Sequence, residues 1–125
     1  MSNWDAMELA TPDMDRLSEI FDMDDPDDVE LLGELLDTVL GEAPEALQQL
    51  MTSRTSGDGA DVGAIAHRLK SSFGNLGFMN ASQLFQRIME EQSGDNSAAM
   101  NELVHVLEES TEKLLQGVQD FRDQL

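Results

Sequence analysis

Apolar residues recur along this chain every three or four positions, and no segment alternates like a half-buried strand. Over about 13–22, Met14, Leu17, Ile20 and Phe21 share one side of a short helix. Asp24-Asp25-Pro26-Asp27-Asp28 then reads as a helix start, with an Asp cap, proline at the first position and acids in the first turn. The helix it opens, about Asp27 to Gly41, carries Leu32, Leu35, Leu36, Val39 and Leu40. Gly41-Glu42-Ala43-Pro44 predicts a break or kink. A further helical section over about 44–55 turns Ala46, Leu47, Leu50 and Met51 inward, and Ser53 to Gly59 is a short polar connector.

The next helix spans about 60–76, with Val62, Ile65, Ala66, Leu69, Phe73 and Leu76 on one stripe and Gly77 closing it. Behind an Asn80 cap, a helix over about 80–92 has Leu84, Phe85, Ile88 and Met89 inside and Gln83, Gln86 and Arg87 as polar residues. Ser93-Gly94-Asp95-Asn96 is a turn. Met100, Leu103, Val104, Leu107, Thr111, Leu114, Val118 and Phe121 form a near-heptad stripe on a last helix over about 97–122. No repeat has a solenoid period. The prediction is an all-α chain, an antiparallel four-helix bundle with additional short helices at the N-terminal side. Residues 1–12 are expected to be a flexible acidic tail and 13–124 a single helical domain. The pattern leaves open whether Trp4 and Met7 fold back.

Composition narrows the picture. A chain of 125 residues suits one domain with a modest core, built from Leu, Met, Val and Ile because aromatics are few and Tyr is absent. Zero cysteine excludes disulfides and thiolate metal sites and fits a reducing cytoplasm, the expected location. No apolar run approaches the ~18 residues of a membrane span, and the acidic N-terminus lacks the basic start and apolar core of a signal peptide. A net charge of −19 disfavours nucleic acid and anionic membrane as partners. That charge is uneven. Residues 1–46 hold fifteen acids and only Arg16, whereas residues 62–76 hold no acid and contain Arg68 and Lys70. The acidic half is foremost a solvated surface.

On the 60–76 helix, His67 falls nearly opposite the apolar stripe. Its neighbours there are Gly63, Ala64, Lys70, Ser71 and Gly74, four small residues and a cation one turn away. A lone helical histidine is ordinarily structural or merely exposed; this one is left uncrowded, so another molecule can approach its ring. A free imidazole has a pKa of ~6.5 and is mostly neutral at pH 7, with a lone pair available for nucleophilic attack. His105, opposite the core stripe of the last helix, reads as an ordinary surface residue. Two histidines and no cysteine give no indication of a transition-metal site. The acids at 24–28 lack the glycine, spacing and closing Glu of a calcium loop. No P-loop, dinucleotide fingerprint or kinase glycine-rich motif is present, so ATP binding is not expected.

The run Ala66-His67-Arg68-Leu69-Lys70-Ser71-Ser72, followed by Gly74-Asn75-Leu76-Gly77, resembles the signature of histidine phosphotransfer (HPt) domains. The His, the Leu, the Lys and the later Gly77 match; Ser71 stands where the family more often has glycine. The resemblance implies a helical bundle in which His67 accepts a phosphoryl group from a receiver-domain aspartate and passes it to another receiver aspartate. Lys70 would stabilise the phosphoryl oxygens. Ser71, Gly74, Ala64 and Gly63 would leave room for the receiver, with Arg68 and Gln86 as further contacts. Partners would be response-regulator receivers, a hybrid histidine kinase, or both. The chain itself would need no cofactor, magnesium being expected in the receiver's acidic pocket, and a monomer is the default. The competing reading is a non-catalytic acidic helical adaptor that binds a partner through an apolar groove.

Overall fold

The structure describes residues 4–56, 59–92 and 97–125, with side chains over 4–52, 62–92 and 98–125. The computed structural model is all-helical, and no strand occurs among the described residues. In chain order the helices are α1 (Ala6–Leu9), α2 (Met14–Ile20), α3 (Pro26–Ser56), α4 (Gly59–Gly74), α5 (Met79–Gln92) and α6 (Ser97–Gln124). Residues 1–3 of the expected tail, residues 57–58 of the connector and the predicted turn over 93–96 lie outside the described residues. Helix α3 packs on α4 and α6, and α5 packs on the same two, so the four long helices close a ring around one core.

Local chemistry sets the helix starts. The Asp5, Asp13 and Asp25 carboxylates each accept a backbone N–H two residues on, at 2.8, 3.0 and 2.9 Å, satisfying amides that the first turn leaves without partners. Gly77, at φ +84, ends the site helix. Phe78 N–H donates to Phe73 O and Gly77 N–H to Gly74 O, the paired bonds of a Schellman turn. The Phe73 and Phe78 rings meet edge to face at 6.1 Å over that turn. Phe85 of α5 stacks on Phe73 at 5.7 Å, and Phe121 of α6 reaches Phe78 at 6.3 Å. These rings tie three helices together beneath the end of α4.

Of the break or kink predicted at 41–44, the break is absent: α3 runs uninterrupted through Pro44. Pro44 points to solvent, where water can bond the carbonyl that loses its amide partner. Meanwhile Val39, Ala43, Ala46, Leu47 and Leu50 are buried on both sides of it. Continuous packing overrides the local breaker signal.

Sequence also leaves residues 1–12 loose, whereas from Trp4 onward they lie on the bundle. Leu9 is 1% exposed, and Trp4 packs against the core. Asn80, expected as a cap, instead donates its side-chain amide to Glu8 O at 3.4 Å, and Asp13 N–H donates to Gly77 O at 2.7 Å. Gly117 of α6 lies directly beneath the Ala10 carbonyl. Helix α2 is too short to bury its whole expected stripe. Leu17 and Phe21 are inside, while Met14 and Ile20 are exposed; Leu35 of α3 is exposed too.

Candidate functional site

Helix α4 is held from beneath by Val62, Ile65, Ala66, Leu69 and Phe73, all buried. That anchoring leaves His67 exposed on the opposite side. Ala64, Arg68 and Ser71 around it are also exposed, and Lys70 is half-buried. Among the described residues neither Arg68 nor Lys70 forms an ion pair, whereas Arg16, Arg87 and Arg122 are each held by a carboxylate. An exposed imidazole thus stands beside two cations that no carboxylate among the described residues grips directly. Such a patch can attract a dianionic group and place it against a ring nitrogen.

The small residues of the patch divide between two tasks. Ala64 and Ser71 open onto solvent and leave the imidazole accessible. Gly63 and Gly74 are half-buried, and a Cβ on either would meet α5: Gln92 Oε1 at 3.0 Å from Gly63, and Ser82 Oγ at 3.0 Å from Gly74. These glycines let α5 approach α4. The same two pairs show that α4 and α5 run in opposite directions.

Helix α5 carries polar groups along this seam: Gln86 and Arg87, which the sequence pattern places on its polar side, and Ser82, which the sequence did not single out. Ser82 is buried, and its hydroxyl donates to Lys70 O at 3.1 Å, tying α5 to the turn that bears the lysine. Gln86, one turn on, donates through Nε2 to Glu90 Oε1 at 3.2 Å. Arg87 forks to Glu90 Oε2 at 3.0 Å and Glu91 Oε1 at 2.9 Å. The bonds from Gln86 and Arg87 hold the Glu90 carboxyl below the 4.5 of an ordinary glutamate, with the Lys70 charge adding to them. Gln83 lies elsewhere, lining a small hollow with Trp4, Leu9 and Asn80. On the other flank, Arg68 borders a shallow groove with Glu42 and Ala46 of α3. His105 stands exposed beside Glu109 at 3.0 Å on α6.

The family model described as the Hpt domain matches residues 34–122. The chain belongs to the Hpt domain family. Hpt domains are helical bundles that carry out histidine phosphotransfer in phosphorelays, working with receiver domains and histidine kinases. The match begins within α3, so α1, α2 and the first turns of α3 lie outside it. No curated relative and no solved structure matches the chain. No helix among the described residues is long and apolar enough to cross a membrane, and no group of three or more potential metal ligands converges there.

Proposed function

We propose that His67 of this Hpt domain takes a phosphoryl group from the aspartyl phosphate of one receiver domain and passes it to an aspartate of another. One observation carries the reading: His67 is exposed on α4, with Lys70 one turn away and no ion pair on that lysine among the described residues. In the first transfer a lone pair on the neutral imidazole forms an N–P bond. The P–O bond to the receiver breaks, and its electron pair returns to the aspartate as carboxylate. The reverse exchange at the second receiver restores His67. The family resemblance assigns the attack to Nε2. A neutral ring needs no general base, so positioning and charge stabilisation remain for the protein to supply.

Lys70 neutralises the transferring oxygens, and Ser71 stands on the same open face, where its hydroxyl can bond one of them. Ala64, by its size, lets the receiver close over the ring. Arg68 extends the positive patch toward α3. Any magnesium used in the transfer belongs to the receiver. The setting for this chemistry is the cytoplasm, with the protein acting as a monomer.

Incubation with a phosphorylated receiver should label the protein in an acid-labile, alkali-stable form, and His67→Gln should abolish the label. Stable binding to receivers with no transfer, in wild type and variant alike, would instead make the protein a non-catalytic adaptor.

A further inference from the structure

Two lines of side chains run beside each other along the α4–α5 seam. On α4 they are Gly74, Lys70, His67 and Gly63, spaced at three or four residues and so on successive turns of one face. On α5 they are Ser82, Gln86 and Glu90, each four residues from the last. Ser82 bonds Lys70 O and faces Gly74, while Gln92 faces Gly63. Gln86 and Glu90 lie between those two fixed points, beside the turns that carry Lys70 and His67. Two donors on this stretch of α5 are already engaged: Gln86 Nε2 and Arg87 Nη1 each bond an oxygen of the Glu90 carboxylate, at 3.2 and 3.0 Å.

We propose that Glu90 is a positioning residue that limits how firmly this protein holds a phosphoryl group. Its carboxylate keeps Gln86 and Arg87 occupied and competes with the phosphoryl oxygens for the charge of Lys70. The inference rests on His67 being the phosphoacceptor. A phosphoryl group on His67 then stands across the seam from a carboxylate rather than within a closed ring of donors. The consequence is a short-lived phosphohistidine, suited to passing the group on rather than storing it.

The test uses Glu90→Gln, which keeps an oxygen that can accept from Gln86 but removes the charge, and Glu90→Asp, which keeps the charge. Wild type and both variants are labelled by a phosphorylated receiver and freed of it. Loss of label by hydrolysis to imidazole and inorganic phosphate is then followed at low and high salt. At low salt the Glu90→Gln phosphohistidine should last about threefold longer, the scale of a partly screened like-charge effect. Added salt should narrow that gap, and Glu90→Asp should stay near wild type. A merely structural role would lower the thermal midpoint of the variants without making the lifetime gap depend on salt. Equal lifetimes at low salt, or a shorter one for Glu90→Gln, would overturn the proposal while leaving His67 as acceptor. A wild type that takes no label would overturn both.

Discussion

Gly117→Ala places two physical effects in opposition, and its sign reports whether the N-terminal segment sits on α6. Gly117 is inside α6, and alanine in a helix interior is favoured over glycine by ~1 kcal/mol. On propensity alone the substitution stabilises. The structure predicts the reverse, because the new methyl would point into the Ala10 carbonyl, with Ala10 Cβ at 2.8 Å and the carbonyl carbon at 3.0 Å. Backbone cannot swing aside as a flexible side chain can, so the whole segment must shift. Overpacking of this kind costs ~1–3 kcal/mol. If the segment lifts off instead, exposing Leu9 costs a similar ~1.5–3 kcal/mol. Set against the propensity gain, the net expectation is a loss of up to ~2 kcal/mol.

Urea unfolding followed by circular dichroism measures the difference as a shift in midpoint at constant slope. Removing residues 1–12 supplies the control. In the shortened chain nothing lies over Gly117, so the same substitution should stabilise by up to ~1 kcal/mol. That inversion is specific to a segment seated on α6. A full-length Gly117→Ala protein more stable than wild type would refute the placement of residues 4–12. Receiver-dependent labelling of His67 should survive the substitution, since among the described residues the α4 backbone runs beside α3 and α5 rather than beside α1 or α6.

Other substitutions probe the site and its supports. Gly74→Phe should destabilise by ~1–3 kcal/mol in urea melts as well as slow phosphotransfer, because the ring would be driven against Ser82 of α5; unchanged stability would mean that α5 is not there. Gly77→Ala should cost ~1–3 kcal/mol, since φ +84 is strained for alanine and its methyl would lie 2.6 Å from Leu17 Cγ; an unaffected midpoint would refute the left-handed turn. The Glu90 carboxyl, held low chiefly by Gln86 and then Arg87, should titrate below 4.5 by NMR, and Arg87→Ala should raise it. With the folded value depressed, that contribution to stability is present above the unfolded glutamate value and is lost as pH falls through the folded one. Titration at or above 4.5 in the folded wild type would contradict the network.

The long periodic stretches were legible in the sequence because burial enforces their period. The stripe of Val62, Ile65, Ala66, Leu69 and Phe73 on α4, with Leu76 in the turn beyond it, is wholly buried, and the exposure of His67 follows from it. Pro44 misled because a local breaker was weighed without the apolar positions on both sides of it, which keep α3 continuous. Residues 4–12 misled for the opposite reason. One leucine, one tryptophan and a four-residue helix show no period, and what seats them is distant in the chain: Gly117 beneath Ala10, and Asn80 bonding Glu8 O. Ser82 carried no signal of its own, since a buried serine acquires meaning only when its partner, Lys70 O on another helix, is known.

The glycines of α4 connect these observations. Sequence places Gly63 and Gly74 on one face with His67 and suggests that all the small residues there serve an incoming partner. In the structure the lane faces two ways. Ala64 and Ser71 look outward, while Gly63 and Gly74 let a second helix come close enough for Ser82 to bond the lysine-bearing turn. That approach brings Glu90, with Gln86 and Arg87 bonded to it, within reach of the Lys70 charge. The smallness of α4 therefore acts twice: it leaves one side of His67 open, and it builds on the other side the polar wall against which a bound phosphoryl group would be balanced. Enlarging an inward glycine should disturb the wall and the stability together, whereas enlarging Ala64 should hinder only the partner, and comparing the two separates docking from support.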